Sequence, residues 1–417
     1  MTAGKPVLVA GGGVAGMTAA IEAAEAGCEV ILLEKATYLG GRVARMNLYF
    51  PKLCPPACGL EINFKRLKSN PRIQVLTQAE LVGLSGAPGA YTATVTIAPR
   101  YVTAACTLCG ACAEACPAER SDDFNYGLSK TKAAYLPHAM AFPALYAIDR
   151  QSCQAACTAC AEACKYGAVD LNQQAEQKTF EVAAVIVATG WAPYDASKLN
   201  GLGYGKHKNV VTNTIMERLA AVNGPTAGKI LRPSDGKAPR MVVFVQCAGS
   251  RDENHLPYCS AVCCAASLKQ AVYVRSQYPD SRVAIFYIDI RTPGRLEDFY
   301  AKVAADDKIV FIKGKVAKVD EDAGTGDLVV RAEDVLRGRQ IAFHADLVVL
   351  ATGIVPQTEG LPAGFHLDEH GFAGNGKHGL YAAGCVRRPQ EVSASVGNAT
   401  GAALKALQCV ARSAHHG

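Results

Sequence analysis

The sequence predicts an α/β protein built from two nucleotide-type βαβ units, with a cysteine-rich block inserted in the first. Three observations predict this. A short apolar run at 6–10, PVLVA, leads into Gly11, Gly13 and Gly16 as G-x-G-x-x-G, then a helix-forming stretch, then a second apolar run ending at Glu34. A later run at 241–246, MVVFVQ, begins the same pattern with cysteines where the glycines should stand. Between strand-like segments at 90–98 and 178–189 lie eight cysteines in two runs.

The chain has 417 residues, which predicts two or three domains. Half of it is hydrophobic, so sizeable cores can form, and 39 glycines predict many tight turns. The formal charge of +6 is weak and scattered, which argues against a nucleic-acid partner. No apolar stretch reaches 18 residues, so no membrane span is expected. Seventeen cysteines in metal-type spacing imply a reducing, cytoplasmic setting where thiols serve metals rather than disulfides.

In the first unit, MTAAIEAAEAG is helical and CEVILLEK is the second strand. The glycines let the backbone approach a pyrophosphate at the helix start, where the amides of Val14 and Ala15 point outward. Glu34, with Lys35 beside it, stands where an acid binds a ribose hydroxyl. Gly40, Gly41 and Arg42 follow closely. Residues 60–69 are expected as helix and 72–77 as the third strand. Between them, FPKLCPPACGLE carries Cys54 and Cys58. They are either a redox-active pair, extra cluster ligands, or two ordinary thiols in a proline-rich turn.

Residues 90–98 alternate with period two, as a strand does, and 178–189 resume that sheet and end in Thr189-Gly190. The block between them interrupts a hairpin, and loop tips tolerate such insertions. Cys106, Cys109, Cys112 and Cys116 have C-x2-C-x2-C-x3-C-P spacing. Cys153, Cys157, Cys160 and Cys164 repeat it with a first gap of three residues and no following proline. This is the spacing of bacterial ferredoxin halves, in which three thiolates hold one cubane and the fourth reaches the other. Zinc or buried thiols are the alternatives, but zinc sites favour C-x2-C pairs set well apart. The spacer 117–152, with its aromatics and Pro137 and Pro143, reads as an ordered docking loop.

Residues 191–240 read as a connection with one helix near 213–222 and a solvated basic face. In the second unit, Cys247, Cys259, Cys263 and Cys264 crowd the expected pyrophosphate loop, within eighteen residues. Sulfur-only ligation favours an iron–sulfur cluster over zinc. The alternative is a redox dithiol with two structural cysteines. The strand 283–288, RVAIFY, completes the unit, and no NAD(P)H site is expected in it. Further strands lead to a second A-T-G ending at Gly353. The segment GLYAAGCVRRPQ carries Gly384 and Cys385, and a helix from about 392 follows. Cys28 and Cys409 are expected to pack.

The glycine pair after Glu34 and the A-T-G turns resemble the two-dinucleotide-fold flavoproteins of the glutathione and thioredoxin reductase superfamily. That resemblance implies FAD, with Gly41, Arg42, Thr189, Gly190, Gly353, Gly384 and Cys385 among its contacts, although Cys385 replaces the usual Asp. The whole combination resembles the flavoprotein A subunits of heterodisulfide reductase. The stretches YFPKLCPPACGLEINF, KAAYLPHAMAFP, VQCAGSRDENHLPYCS and FYIDIRTPG resemble most closely the relatives from quinone-interacting membrane-bound oxidoreductase (Qmo) complexes, as does a glycine loop starting at residue 11. The resemblance implies domains at 1–99, 171–205 and 347–417 for FAD, 100–170 for a two-cluster ferredoxin-like insert, and 206–346 for a second Rossmann-like domain. It implies [4Fe-4S] clusters on Cys106, Cys109, Cys112 and Cys164, on Cys116, Cys153, Cys157 and Cys160, and on Cys247, Cys259, Cys263 and Cys264. It implies three partners: adenylylsulfate reductase, a second soluble flavoprotein or iron–sulfur subunit, and a haem-containing membrane subunit. The chain would then sit at the inner face of the membrane through those partners. A heterodisulfide reductase-type flavoprotein subunit and a stand-alone dithiol/disulfide oxidoreductase are the competing expectations.

Overall fold

The structure is a computed structural model and describes residues 5–376 and 379–415. The described residues form two compact units. One takes the chain up to residue 45, 57–191 and from 356 onward; the other takes 46–56 and 192–355.

The first unit is built on β1 (Val7–Ala10), α1 (Val14–Glu25), β2 (Val30–Glu34), α2 (Pro56–Ser69) and β3 (Ile73–Thr77). Its five-stranded parallel sheet runs Leu380–Ala382, Ala184–Val187, β1, β2, β3. β1 and Ala184–Val187 are buried along their whole length, which is why they read as continuous apolar runs rather than alternating ones. α1 packs on the C-terminal helix Val392–His415. Ala19, Ala20, Ala23 and Ala24 on one, and Ala399, Ala402, Ala403 and Ala406 on the other, are buried, so small side chains let the two backbones approach. α2 starts at Pro56 rather than near residue 60, which places Cys58 in its first turn. Proline at a helix start loses no hydrogen bond.

β4 (Ala79–Ala87), β5 (Ala90–Ile97) and the strand Glu176–Val182 form an antiparallel sheet. Tyr91, Ala93 and Val95 alternate inward onto the main sheet. Ile97 pairs with Glu176, so residues 98–175 leave and rejoin one end of a paired hairpin. Within that excursion, Val102 bridges Val169, and two four-residue helical turns, Ala111–Glu114 and Ala159–Glu162, share the sequence ACAE. The excursion is docked, not tethered. Tyr38, Phe124 and Ala141 pack as one cluster, Phe142 stacks on Phe64 at 5.3 Å, and Leu39 donates its N–H to Phe142 at 2.8 Å. Arg100 donates to Thr77 Oγ1 at 2.8 Å and to the carbonyls of Thr37 and Leu145; burial pulls it down to about 10.

The second unit has a parallel sheet ordered Val210–Thr212, Leu347–Thr352, Met241–Ala248, Arg282–Tyr287, Ile309–Lys313. An antiparallel sheet of Val316–Glu321, Leu328–Asp334 and Arg339–Ala345 packs Leu328, Val330 and Ala332 against Val243, Val245 and Phe286. The helix Cys263–Gln277 joins two parallel neighbours, as α1 joins β1 and β2. The helix expected at 213–222 runs Asn213–Ala220, capped by Thr212 Oγ1 accepting from Ile215 N–H at 3.3 Å. Residues 347–355, expected with the FAD-binding domain, belong instead to this second unit: Leu347–Thr352 lies inside its sheet, flanked on both sides. An apolar strand ending in A-T-G reads the same in either sheet, so only pairing decides.

Candidate functional site

The glycine loop closes on itself at two positions and stays open at the third. A Cβ on Gly16 would lie 1.7 Å from the Gly11 carbonyl oxygen, and one on Gly11 2.3 Å from that of Ala188. Those glycines serve the close approach of loop, helix and neighbouring strand. Gly13 differs. Its φ is −73°, which any residue can adopt, yet a Cβ there would meet no protein atom within 4 Å. A position free of backbone and steric demand is one that the fold itself does not require to be glycine; open space at a helix N-terminus is where a pyrophosphate lies. Gly41 comes to this point, since its Cβ would lie 3.1 Å from Gly13 Cα, and Gly384 would place one 2.6 Å from Ala15 Cβ. The residues therefore fit the pyrophosphate of FAD.

Glu34 is held at the rim. Its carboxylate accepts from Gly12 N–H and Ala36 N–H, each at 2.7 Å. Burial pushes its pKa up, and those two N–H bonds work the other way. Each oxygen keeps a further lone pair for a ribose hydroxyl. The Lys35 ammonium pairs with Glu80 at 2.9 Å. Arg42 donates to the Trp191 carbonyl, lies 4.9 Å above the Trp191 ring and reaches Tyr126 of the excursion at 3.4 Å. Thr189 Oγ1 donates to the Gln357 carbonyl at 2.5 Å, and Gly190 accepts from Gln357 N–H at 3.1 Å. Cys385 is a donor to the Gln390 carbonyl at 3.3 Å, and burial pushes its thiol up. Gly353 lies in the second unit, where a Cβ would meet Ser250 Oγ at 2.3 Å and Ser260 Oγ at 2.8 Å.

The excursion brings cysteines from both runs together. Cys116, Cys153, Cys157 and Cys160 line one cavity, whose other walls are Pro117, Ala118, Ala134, Ile148 and Gln154. Cys106, Cys109 and Cys112 gather around Tyr146. Burial and the neighbouring Cys106 push Cys112 up to about 11. Cys164 belongs to the turn beside them: its sulfur accepts from Ala168 N–H at 3.3 Å, and the Ala168 carbonyl accepts from Thr103 N–H at 2.8 Å. Burial opposes the Cys164 thiolate, but N–H groups of Ala168, Val169, Tyr166 and Gly167 outweigh it and lower its pKa.

Cys247, Cys259, Cys263 and Cys264 also form one group. Burial, then the neighbouring thiols of Cys264 and Cys259, push Cys247 up to about 11. Cys263 is raised further, by burial and by Cys247, Cys264 and Cys259. Among the described residues, no three Cys, His, Asp or Glu side chains close on a single-ion position. A four-iron cubane makes a different demand, one thiolate on each of four irons.

Cys54 and Cys58 are both exposed, one in the turn before α2 and one within it. Sequence reading missed a buried polar network in the second unit. Lys269 and Glu217 pair at 3.0 Å, Gln270 and Tyr273 donate to Glu217 at 2.7 and 3.2 Å, and Lys269 donates to the Leu48 carbonyl at 2.7 Å. This network fastens the segment 46–56 to the cysteine-bearing helix. The signal was a lysine inside an apolar helical run, AASLKQAVYV.

The chain is similar to known proteins. Residues 6–52 match the family described as FAD dependent oxidoreductase. The chain is 38% identical over 97% of its length to the second iron–sulfur A subunit of CoB–CoM heterodisulfide reductase from Methanopyrus kandleri, spanning 64% of that protein. It is 38% identical over 96% of its length to the A subunit of the H2:CoB–CoM heterodisulfide,ferredoxin reductase of Methanothermobacter marburgensis, spanning 63% of it. Thioredoxin reductase of T. acidophilum superposes over 97% of this chain and 98% of its own with a TM-score of 0.53 at 16% identity, a likeness of fold. Among the described residues no helix is long and apolar enough to cross a membrane. The chain has an α/β FAD-binding flavoprotein fold and is related to the A subunits of heterodisulfide reductases over a little under two thirds of their length.

Proposed function

We propose that the chain is an iron–sulfur flavoprotein subunit of the heterodisulfide reductase type, which relays electrons between FAD, [4Fe-4S] clusters and partner subunits. FAD exchanges two electrons and a cluster one, so such a chain couples the two kinds of carrier. The observation that carries the reading is the cavity lined by Cys116, Cys153, Cys157 and Cys160, because it takes one cysteine from the first run and three from the second. A two-cluster ferredoxin is cross-ligated in that pattern, which supports the reading. Cys106, Cys109, Cys112 and Cys164 would hold the other cluster, and Cys247, Cys259, Cys263 and Cys264 a third.

FAD would lie with its pyrophosphate over Gly11, Gly13 and Gly16 and its ribose at Glu34, with Gly41, Arg42, Thr189, Gly190, Gly384 and Cys385 around it. The partners would be other soluble subunits of the same complex. The narrower expectation, a Qmo-type subunit with a haem-containing membrane partner serving adenylylsulfate reductase, has less support, since the relatives are heterodisulfide reductase subunits. Anaerobically purified protein should hold one FAD and about twelve irons if all three sites are four-iron clusters. Zinc in place of iron, or an iron count unaffected by Cys116→Ser with Cys157→Ser, would refute the relay.

A further inference from the structure

Two stretches that stood out in the sequence, VQCAGSRDE and FYIDIRTPG, acquire a role in the second unit. Each sends an arginine to the four-cysteine group. Arg251 follows the turn in which Ser250 N–H donates to the Cys247 carbonyl at 3.1 Å, and its charge works against the burial that raises the Cys247 pKa. Arg291 lies two residues beyond Asp289, and it works against the burial that raises the Cys264 pKa. One acid holds both: Asp289 accepts from Arg251 Nη1 at 2.6 Å and from Arg291 Nε at 3.2 Å. The Asp289 carbonyl also lies 3.7 Å from Cys264 Sγ. Two guanidinium groups so close would repel one another, and Asp289 offsets that repulsion while leaving a net positive charge beside the sulfurs.

The loop that presents Arg251 is built, not loose. Cys247, Arg251 and Ala261 all have φ in the left-handed region, at 55°, 56° and 61°. Non-glycine residues keep such conformations only where their surroundings fix them. Here Arg251 N–H donates to the Tyr258 carbonyl at 3.1 Å and Leu256 N–H to that of Gly249 at 2.9 Å.

We propose that Arg251 and Arg291, aligned by Asp289, are positioning residues that raise the reduction potential of the group ligated by Cys247, Cys259, Cys263 and Cys264. The inference rests on the reading of those cysteines as cluster ligands. Reduction adds one electron and so one negative charge, and the nearby cations stabilise the reduced form more than the oxidised one. Charge and hydrogen bonds to sulfur are the protein's levers on such a potential. Arg251 is 24% exposed and Arg291 48%, so water screens both and the effect of each is moderate. We expect about a tenfold change in the reduction equilibrium, ~59 mV for one electron.

The test is a redox titration of the anaerobic, iron-loaded protein followed by electron paramagnetic resonance. Arg291→Lys should titrate close to the unaltered protein, Arg291→Gln lower by about tenfold, and Arg291→Glu lower still. Arg251→Gln should move the same signal, and the two clusters of the excursion should not respond. A merely structural role would not order variants by charge. A potential unmoved through the Lys, Gln and Glu series would overturn the proposal, as would iron lost from Arg291→Lys, since charge would then not be what the site uses. Failure of the cluster reading shows differently: Cys263→Ser with Cys264→Ser would remove neither iron nor any signal.

Discussion

The two βαβ units share a plan and differ at the loop after the first strand. In β1–α1–β2 the loop is glycine, and Gly13 leaves open space at the helix start. In the second unit the loop after Met241–Ala248 carries thiols and arginines, and the helix begins with Cys263 and Cys264. The means of holding each helix differ too. α1 packs alanine on alanine, whereas the cysteine helix is fastened by the buried pair Lys269–Glu217 at 3.0 Å. In the proposed reading, the same backbone crossover would offer its helix N-terminus either to a phosphate or to sulfur. What decides is whether the loop is made small or made of ligands.

The comparison breaks most visibly at Gly13. Gly13→Val should leave iron in place but remove nearly all the flavin, measured by absorbance against iron content. The variant should fold, because its Cβ meets no protein atom within 4 Å. Gly16→Val is the contrasting control, since its Cβ would collide with Gly11, and it should fail to fold. Normal flavin in Gly13→Val would remove the pyrophosphate from this loop.

A smaller loss should follow on the other side. Cys263→Ser with Cys264→Ser should take away roughly a third of the iron and spare the flavin and the ferredoxin-type signals. Unchanged iron would return these residues to the dithiol alternative. Lys269→Met tests how the cysteine helix is held. It leaves Glu217 charged and buried, so unfolding by denaturant should show a cost of about 3–5 kcal/mol, and Glu217→Gln in the same protein should recover much of it. Equal stability of Lys269→Met and the unaltered protein would mean that the network does not anchor the helix. The smallest effect expected is none. NADH or NADPH mixed anaerobically with the chain should leave the flavin oxidised, because Cys247 occupies the start of the second loop. Rapid bleaching by either would show that the second unit still serves a nicotinamide.

Both loops were legible beforehand because their chemistry is local. Spacing within a few residues of a strand end fixes what a helix start can hold. The pairing of β5 with Glu176–Val182 was legible as well, from period-two alternation resuming after the cysteines. The boundary at 347 was not, because a buried parallel strand carries no mark of its sheet. Nor was the start of α2, since two prolines disguise a helix N-terminus as a turn.

The sequence by itself determined which residue types surround each site: glycines and an acid for a nucleotide, and twelve cysteines in ferredoxin-like and loop spacings. Only the tertiary structure decided which of them meet. Cys116 faces Cys153, Cys157 and Cys160 because the two ACAE turns pack together across 98–175, a closure no local spacing contains. Arg251 and Arg291 stand beside Cys247 and Cys259 because parallel pairing of Met241–Ala248 with Arg282–Tyr287 brings the loops at their ends side by side. The physical reason is the same in both cases. Ligand identity is written in the residue, but charge and sulfur act through space, and the distances are set by strands that pair far apart along the chain.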